Sequence, residues 1–140
     1  MTDTRDALKR YADAWAALTP EDVEPLRAVL AETVRFVDPF NDITGKDAVL
    51  SSLAESYRRF QSVSVTVHDQ AIGATAAYLR WTYIFTTRRG RRFAIEGMSE
   101  MRFDGTGRAL LHHDHWDAAG QIYEKVPVLG GVLRLIRRRV

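Results

Sequence analysis

Tyr78-Leu79-Arg80-Trp81-Thr82-Tyr83-Ile84-Phe85 is largely apolar on both faces of the strand it spells. Successive strand side chains point to opposite sides, so Tyr78, Arg80, Thr82 and Ile84 form one set, and Leu79, Trp81, Tyr83 and Phe85 the other. A strand that left Trp, Tyr and Phe in a row facing water would create a large exposed patch. Both faces therefore need cover. The expectation is that helices of the same chain cover the even set and a second copy of the chain covers the odd set, giving a homodimer.

Around this strand the pattern is alternating as well. Val63, Val65 and Val67 alternate with polar residues, and further strands read at 76–87, 91–103 and 108–117. Arg89-Gly90 and Asp104-Gly105-Thr106-Gly107 are hairpin turns between them. Upstream the period is helical. Asp3 or Thr4 caps a helix whose stripe is Leu8, Tyr11, Ala12, Trp15 and Leu18. A second helix begins around Thr19 to Asp22, with Pro25 in its first turn and Leu26, Val29 and Leu30 buried. Thr33 to Asp38 is a short strand stopped by Pro39. A loop, Phe40-Asn41-Asp42-Ile43-Thr44-Gly45, then leads to a third helix with Val49, Leu50, Leu53, Tyr57 and Phe60 on one side. Three helices followed by an antiparallel meander make an α+β layout, with the helices on one face of the sheet.

No repeat, linker or low-complexity stretch divides the 140 residues, so residues 1–140 read as one domain. A hydrophobic content of 46% is that of a chain able to bury a core. The absence of cysteine excludes disulfides and thiolate metal sites. Met1-Thr2-Asp3-Thr4-Arg5-Asp6 has no apolar run of the kind a secretory leader carries, and no apolar run reaches membrane-spanning length. A soluble cytoplasmic protein is expected.

Of the basic residues, Arg134, Arg137, Arg138 and Arg139 fall in the last seven positions; without them 16 basic residues face 18 acidic ones. A second cluster, Arg88-Arg89-Gly90-Arg91-Arg92, is a turn. Neither is interleaved with aromatics as in a single-strand groove, so no nucleic-acid partner is expected. Val128 to Val140 reads as an amphipathic helix, at about 128–139, although Gly130-Gly131 weakens its start. Its stripe is Leu129, Val132, Leu133, Ile136 and Val140, with Arg134, Arg137 and Arg138 largely away from it. Two roles fit: packing across the domain or its pocket mouth, or a reversible contact with an anionic membrane surface.

Two aspartates are the candidates for chemistry. In Val34-Arg35-Phe36-Val37-Asp38, alternation puts Asp38 with Val34 and Phe36 on the apolar face. A carboxylate turned inward beside Phe loses hydration, which suits acid–base work. The same residue also fits a cap of the following loop, and the sequence leaves the two roles level. In Leu110-Leu111-His112-His113-Asp114-His115-Trp116-Asp117, the set Leu110, His112, Asp114 and Trp116 mixes apolar groups with a carboxylate and an imidazole, as a pocket wall does. His113-x-His115 has the spacing of half a zinc site but no evident third ligand, so no metal is expected.

The order of elements, with Tyr11, Val37-Asp38-Pro39, Thr44-Gly45-Lys46-Asp47-Ala48-Val49 and His113-Asp114-His115-Trp116-Asp117, resembles the nuclear transport factor 2-like superfamily over residues 4–118. The pattern is most similar to its SnoaL-like polyketide cyclase, ketosteroid isomerase and limonene epoxide hydrolase branches. The resemblance implies a curved antiparallel sheet wrapped around N-terminal helices to form a conical pocket, in a homodimer. It gives Tyr11 the place of the isomerase's oxyanion-hole tyrosine and Asp38 that of its proton-shuttling aspartate, with Ser99 where that enzyme has a second acid. Asp114 falls where the hydrolase and the cyclases carry a catalytic aspartate. Arg80 matches the hydrolase's arginine, whose aspartate partner is here Thr82. The hydrolase's water-holding tyrosine and asparagine become Phe36 and Asp38.

Together these readings make Asp38, Asp114, Tyr11 and Arg80 the expected catalytic residues, and Trp15, Phe36, Ser99, His112 and Trp116 the expected substrate-binding ones. Asp38 and Asp114 would divide the acid and base roles while Arg80 or Tyr11 holds the developing oxyanion. The chemistry would be isomerisation, cyclisation or hydration of a small, largely apolar carbonyl or epoxide compound. No glycine-rich phosphate loop or metal set is present in the sequence, so no cofactor is expected. A non-catalytic ligand-binding or dimerisation domain of the same fold is the competing reading.

Overall fold

A computed structural model describes residues 1–122 and 127–139, with the backbone alone for 127–130 and 133. Asp3 caps the first helix, α1 (Thr4–Ala16), by accepting from Arg5 N at 2.8 Å. Such a cap contributes about 1 kcal/mol. The helix buries Leu8 and Tyr11 along its inner stripe.

The second helix is shorter than its sequence suggests. It is a 3-10 helix over Glu24–Val29, and Leu30 already belongs to β1 (Leu30–Val37). With Pro25 at its start, too few residues remain before the strand for an α-helix. The expected loop holds a short strand, β2 (Asp42–Thr44), which Gly45 at φ 105° turns into α2 (Lys46–Tyr57). Phe60, expected on that helix, instead opens β3 (Phe60–Ile72), followed by β4 (Ala77–Thr87), β5 (Arg92–Phe103) and β6 (Ala109–His115).

The six strands form one curved, unclosed sheet in the order β2-β1-β6-β5-β4-β3. It departs from the expected antiparallel arrangement at one place. β1 and β6 run parallel, with Phe36 opposite His112 and Val37 opposite His113. Helices α1 and α2 pack on the concave side, where Leu8, Tyr11, Leu26, Val34, Leu50, Leu79 and Met101 join one core. Burying each such side chain contributes about 1.5–3 kcal/mol.

The faces of β4 are the reverse of those expected. Leu79 and Phe85 are buried toward the helices, and Trp81 and Tyr83 pack against the same core. The bulkier odd set thus fills the concave side, and the smaller or more polar even set, with exposed Arg80, lies outside. A partner subunit therefore cannot sit on Trp81, Tyr83 and Phe85 as expected.

In β6 the alternation is broken once. The register passes from Arg102–Leu111 to Phe103–Ala109, so Leu110 is an extra residue in a bulge. Leu110 is 39% exposed, whereas Ala109 and His112 both point inward. The expected set of Leu110, His112, Asp114 and Trp116 loses its first member for that reason.

Beyond the sheet, α3 (Ala118–Gln121) is tied to β5: Gln121 donates to Glu96 O at 2.9 Å and accepts from Glu96 N at 2.7 Å. The C-terminal helix, α4, spans Pro127–Arg139. Of the residues expected on its stripe, Val132 and Ile136 are half exposed, so the domain does not cover them. The side chains of Leu129 and Leu133, and all of Val140, lie outside the described residues.

Candidate functional site

Between the concave sheet and the helices lies a cavity of about 240 Å³. Trp15 of α1, Phe36 of β1, Trp81 and Tyr83 of β4, and Tyr57 at the end of α2 give it an aromatic wall. Ser99, His112 and Asp114 form its polar floor, and Asp38, Phe40, Asn41, Trp116 and Ile122 also line it. The parallel pairing places Phe36 beside His112, and their rings stack at 4.8 Å.

The floor is a continuous hydrogen-bond chain. Trp81 Nε1 donates to Ser99 Oγ at 2.8 Å, and Ser99 Oγ donates to Asp114 Oδ1 at 2.5 Å. His112 Nε2 reaches the same oxygen at 2.5 Å, while its Nδ1 lies 2.7 Å from the Tyr11 hydroxyl. Burial pushes the Tyr11 hydroxyl well above its ordinary pKa, so it keeps its proton and donates to Nδ1. The imidazole proton is then on Nε2, aimed at Asp114. Both bonds to Asp114 end on Oδ1, and among the described residues Oδ2 has no hydrogen-bond partner.

Among the described residues, Trp15 Nε1 and the Tyr57 hydroxyl are buried without a well-formed hydrogen bond, Trp15 lying against the Tyr11 hydroxyl and Tyr57 against that of Tyr83. Burial also raises the pKa of Tyr57 and of Tyr83, so both phenols stay protonated. The lining carries two carboxylates and no lysine or arginine among the described residues. A negative potential of this kind disfavours an anionic guest.

Of the nine expected site residues, seven line the cavity: Asp38, Asp114, Trp15, Phe36, Ser99, His112 and Trp116. Asp38 does so while also capping its loop, accepting from Phe40 N at 2.7 Å, Asn41 N at 2.8 Å and Asn41 Nδ2 at 3.0 Å. Tyr11 and Arg80 do not meet the expectation that they hold an oxyanion. Tyr11 is wholly buried behind His112 and Trp15, so it reaches the cavity through those rings and not directly. Arg80 lies on the outer, exposed side of β4, because the odd residues of that strand face inward. Trp81, Tyr57 and Tyr83 were missed. For Trp81 and Tyr83 the signal was the aromatic row itself, read with its faces exchanged.

The rings of His113 and His115 lie 4.1 Å apart, tilted by 31°, on the other side of β6. Among the described residues no group of three His, Cys, Asp or Glu is arranged to hold a metal ion.

The family model of the SnoaL-like domain matches residues 8–112. The chain belongs to the SnoaL-like family. Solved structures similar to this SnoaL-like domain share its fold at low identity. One is an epoxide hydrolase of M. tuberculosis resembling limonene epoxide hydrolase, with TM-score 0.69, 18% identity and 96% of each chain covered. Another is a hypothetical protein with a ketosteroid isomerase-like fold from Catenulispora acidiphila DSM 44928, in complex with trimethylamine (TM-score 0.71, 17% identity, 86% of this chain and 92% of that one). A third is TerC co-crystallised with polyporic acid (TM-score 0.70, 14% identity, 84% of this chain and 93% of that one). No curated protein matches the SnoaL-like chain.

Proposed function

We propose that this SnoaL-like domain is an acid–base enzyme for a small, largely apolar and uncharged carbonyl or epoxide compound, with Asp114 as its base. The observation that carries this reading is the division of labour within one carboxylate. Oδ1 is fixed by Ser99 and His112, and Oδ2 is left without a hydrogen bond among the described residues, in a carboxylate that lines an aromatic cavity. A base held in one orientation beside an aromatic pocket needs little reorganisation to take a proton.

In an enolisation, Asp114 Oδ2 takes the proton from the carbon next to the carbonyl, and the C–H pair moves through that carbon to the carbonyl oxygen. In hydration of an epoxide, it takes the proton of the attacking water as the water oxygen bonds to a ring carbon and that carbon's C–O bond breaks; Asp114 then returns the proton to the ring oxygen, giving the diol. Trp15 Nε1 and the Tyr57 hydroxyl are the donors left over for the oxygen that gains charge. Asp38, whose carboxylate accepts from two backbone N–H groups and the Asn41 amide, is the second carboxylate of the cavity lining. An epoxide hydrolase among the structural neighbours supports such chemistry on this fold.

One observation favours a second reading, a receptor for an apolar ligand. Asp38 is already engaged by Asn41 and two backbone N–H groups, as a purely structural turn cap would be. A thermal-shift screen of neutral carbonyl and epoxide compounds, followed by deuterium exchange from solvent or diol formation on each hit, separates the two. Turnover lost in Asp114→Asn with binding retained is expected. Hits that bind tightly and never exchange or hydrate would leave the receptor reading.

A further inference from the structure

Trp81, Ser99 and Asp114 stand on three successive strands, and all three line the cavity. Trp81 of β4 pairs with Gly97 of β5. Ser99, two residues on, shares that inward face and pairs in turn with Asp114 of β6. A Cβ at Gly97 would lie 2.7 Å from Trp81 Cη2 and 2.8 Å from Cζ2. With only hydrogen there, the indole lies over Gly97 and its Nε1 reaches Ser99, the diagonal neighbour, at 2.8 Å.

That contact settles what the Ser99 hydroxyl can do. A serine hydroxyl has one proton to give and two lone pairs to receive, whereas an indole nitrogen only donates. Trp81 therefore occupies a lone pair of Ser99 Oγ and leaves its proton to be placed elsewhere. Two groups of the described residues are within its reach, His112 Nε2 at 3.5 Å and Asp114 Oδ1 at 2.5 Å. Nε2 already carries a proton, because the Tyr11 hydroxyl donates to Nδ1. The carboxylate oxygen is the acceptor that remains. Ser99 is 2% exposed, so bulk water does not compete for the hydroxyl.

We propose that Ser99, held by Trp81, is a positioning residue that decides which oxygen of Asp114 reacts, by pinning Oδ1 and leaving Oδ2 to meet the substrate. The inference rests on the reading of Asp114 as the base. Ser99 acts through the carboxylate, and Trp81 acts through Ser99. His112 alone does not suffice, because a single donor on Oδ1 lets the carboxylate swing about that contact. Two donors arriving from separate strands, Ser99 from β5 and His112 from β6, hold it in one orientation.

The test uses the full chain and acetophenone, a neutral ketone whose methyl group takes up deuterium from heavy water once it is deprotonated. kcat and KM for that exchange are measured below the melting temperature of each variant, and indole N–H resonances are followed by NMR. Ser99→Ala should lower kcat about 10- to 100-fold with KM little changed. It should also move the Trp81 indole resonance upfield, that resonance being assigned by its absence in Trp81→Phe. Trp81→Phe, which keeps a ring in the wall but no N–H, should lower kcat by a smaller factor. Ser99→Cys keeps a weak donor of nearly the same size, so its kcat should fall between those of serine and alanine; it carries the test if the alanine variant does not fold. Asp114→Asn in the same assay separates the two readings. Exchange no faster than in buffer with the wild-type protein removes the base, and the positioning role with it. Exchange that needs Asp114 but keeps its kcat in Ser99→Ala leaves the base standing and overturns the role of Ser99. A loss confined to KM, or a Trp81 resonance that Ser99→Ala does not move, overturns it as well.

Discussion

The Tyr11 hydroxyl lies 2.7 Å from His112 Nδ1, a bond between residues 101 positions apart that joins the first helix to the last strand. Through His112 it fixes which nitrogen carries the imidazole proton, and so what Asp114 Oδ1 receives. Tyr11→Phe leaves Nδ1 buried and unsatisfied, at a cost of about 1–3 kcal/mol in urea unfolding. Imidazole nitrogen shifts should show a changed tautomer balance. A variant as stable as the parent, with its tautomer unmoved, would contradict this role.

Asp114→Asn keeps one carbonyl oxygen for Ser99 and His112, so the fold is expected to persist. Turnover should fall by about 10²–10⁴-fold, the usual worth of a positioned base. Replacing a partly buried carboxylate by an amide should hold or raise the melting temperature. Melting and activity are measured on the same preparation. Intact turnover removes Asp114 from catalysis, whereas a large drop in melting temperature makes it a structural acceptor.

Tyr57 offers the opposite sign. Among the described residues its buried hydroxyl has only the Tyr83 hydroxyl beside it and no well-formed bond, and Tyr57→Phe removes that burden. Stabilisation of the free protein by about 1 kcal/mol is expected. Affinity for a carbonyl ligand found by screening should fall in the same variant. If the variant is instead destabilised, the hydroxyl already has a partner.

Trp81 is a cavity residue bonded to Ser99, and Gly97 across from it leaves room for the indole: a Cβ there would sit 2.7 Å from the ring. Trp81→Glu should cost stability and ligand binding, because an unpaired charge would face an apolar cavity. It should leave the mass in solution as it was. A change of oligomeric state with unchanged melting temperature would return Trp81 to an interface.

High pH should unfold the protein through its buried phenols. Burial raises the Tyr11, Tyr57 and Tyr83 pKa values above the ordinary 10.0, so the folded state holds protons that the unfolded chain releases. Their contribution is complete below pH 10 and is lost as pH climbs toward the folded values. Of the five tyrosines, these three are expected to show phenolate absorbance only together with loss of structure. Early, non-cooperative titration of all five would count against it.

Much of this was legible in the residues. The switch from helical to alternating period located the helices and strands, and alternation within Val34–Asp38 and around Asp114 brought both carboxylates to the cavity. What misled was local pattern meeting three-dimensional facts. Nothing in Tyr78–Phe85 says which face is concave, because both faces are apolar. A bulge at Leu110 leaves no mark in a run of two leucines. Arg80 was carried over by family likeness, and its side of the strand depended on the same undecided face. Tyr11 was correctly read as inward, but only the fold could place His112 between it and the cavity.

The parallel pairing of β1 with β6 also bears on how the protein comes into being. Strand β1 leaves the ribosome before every other strand of the sheet and β6 after them all, so the seam between them closes only once β6 has been made. Until then β1 and β5 each present an open edge to other nascent chains, and α1 lacks the strand that its tyrosine bonds. The cavity floor, built from β5 and β6, cannot exist in any shorter translation product that ends before His112. Synthesis therefore proceeds with no working pocket, and the order of the strands makes ligand binding a report that the whole sheet has closed.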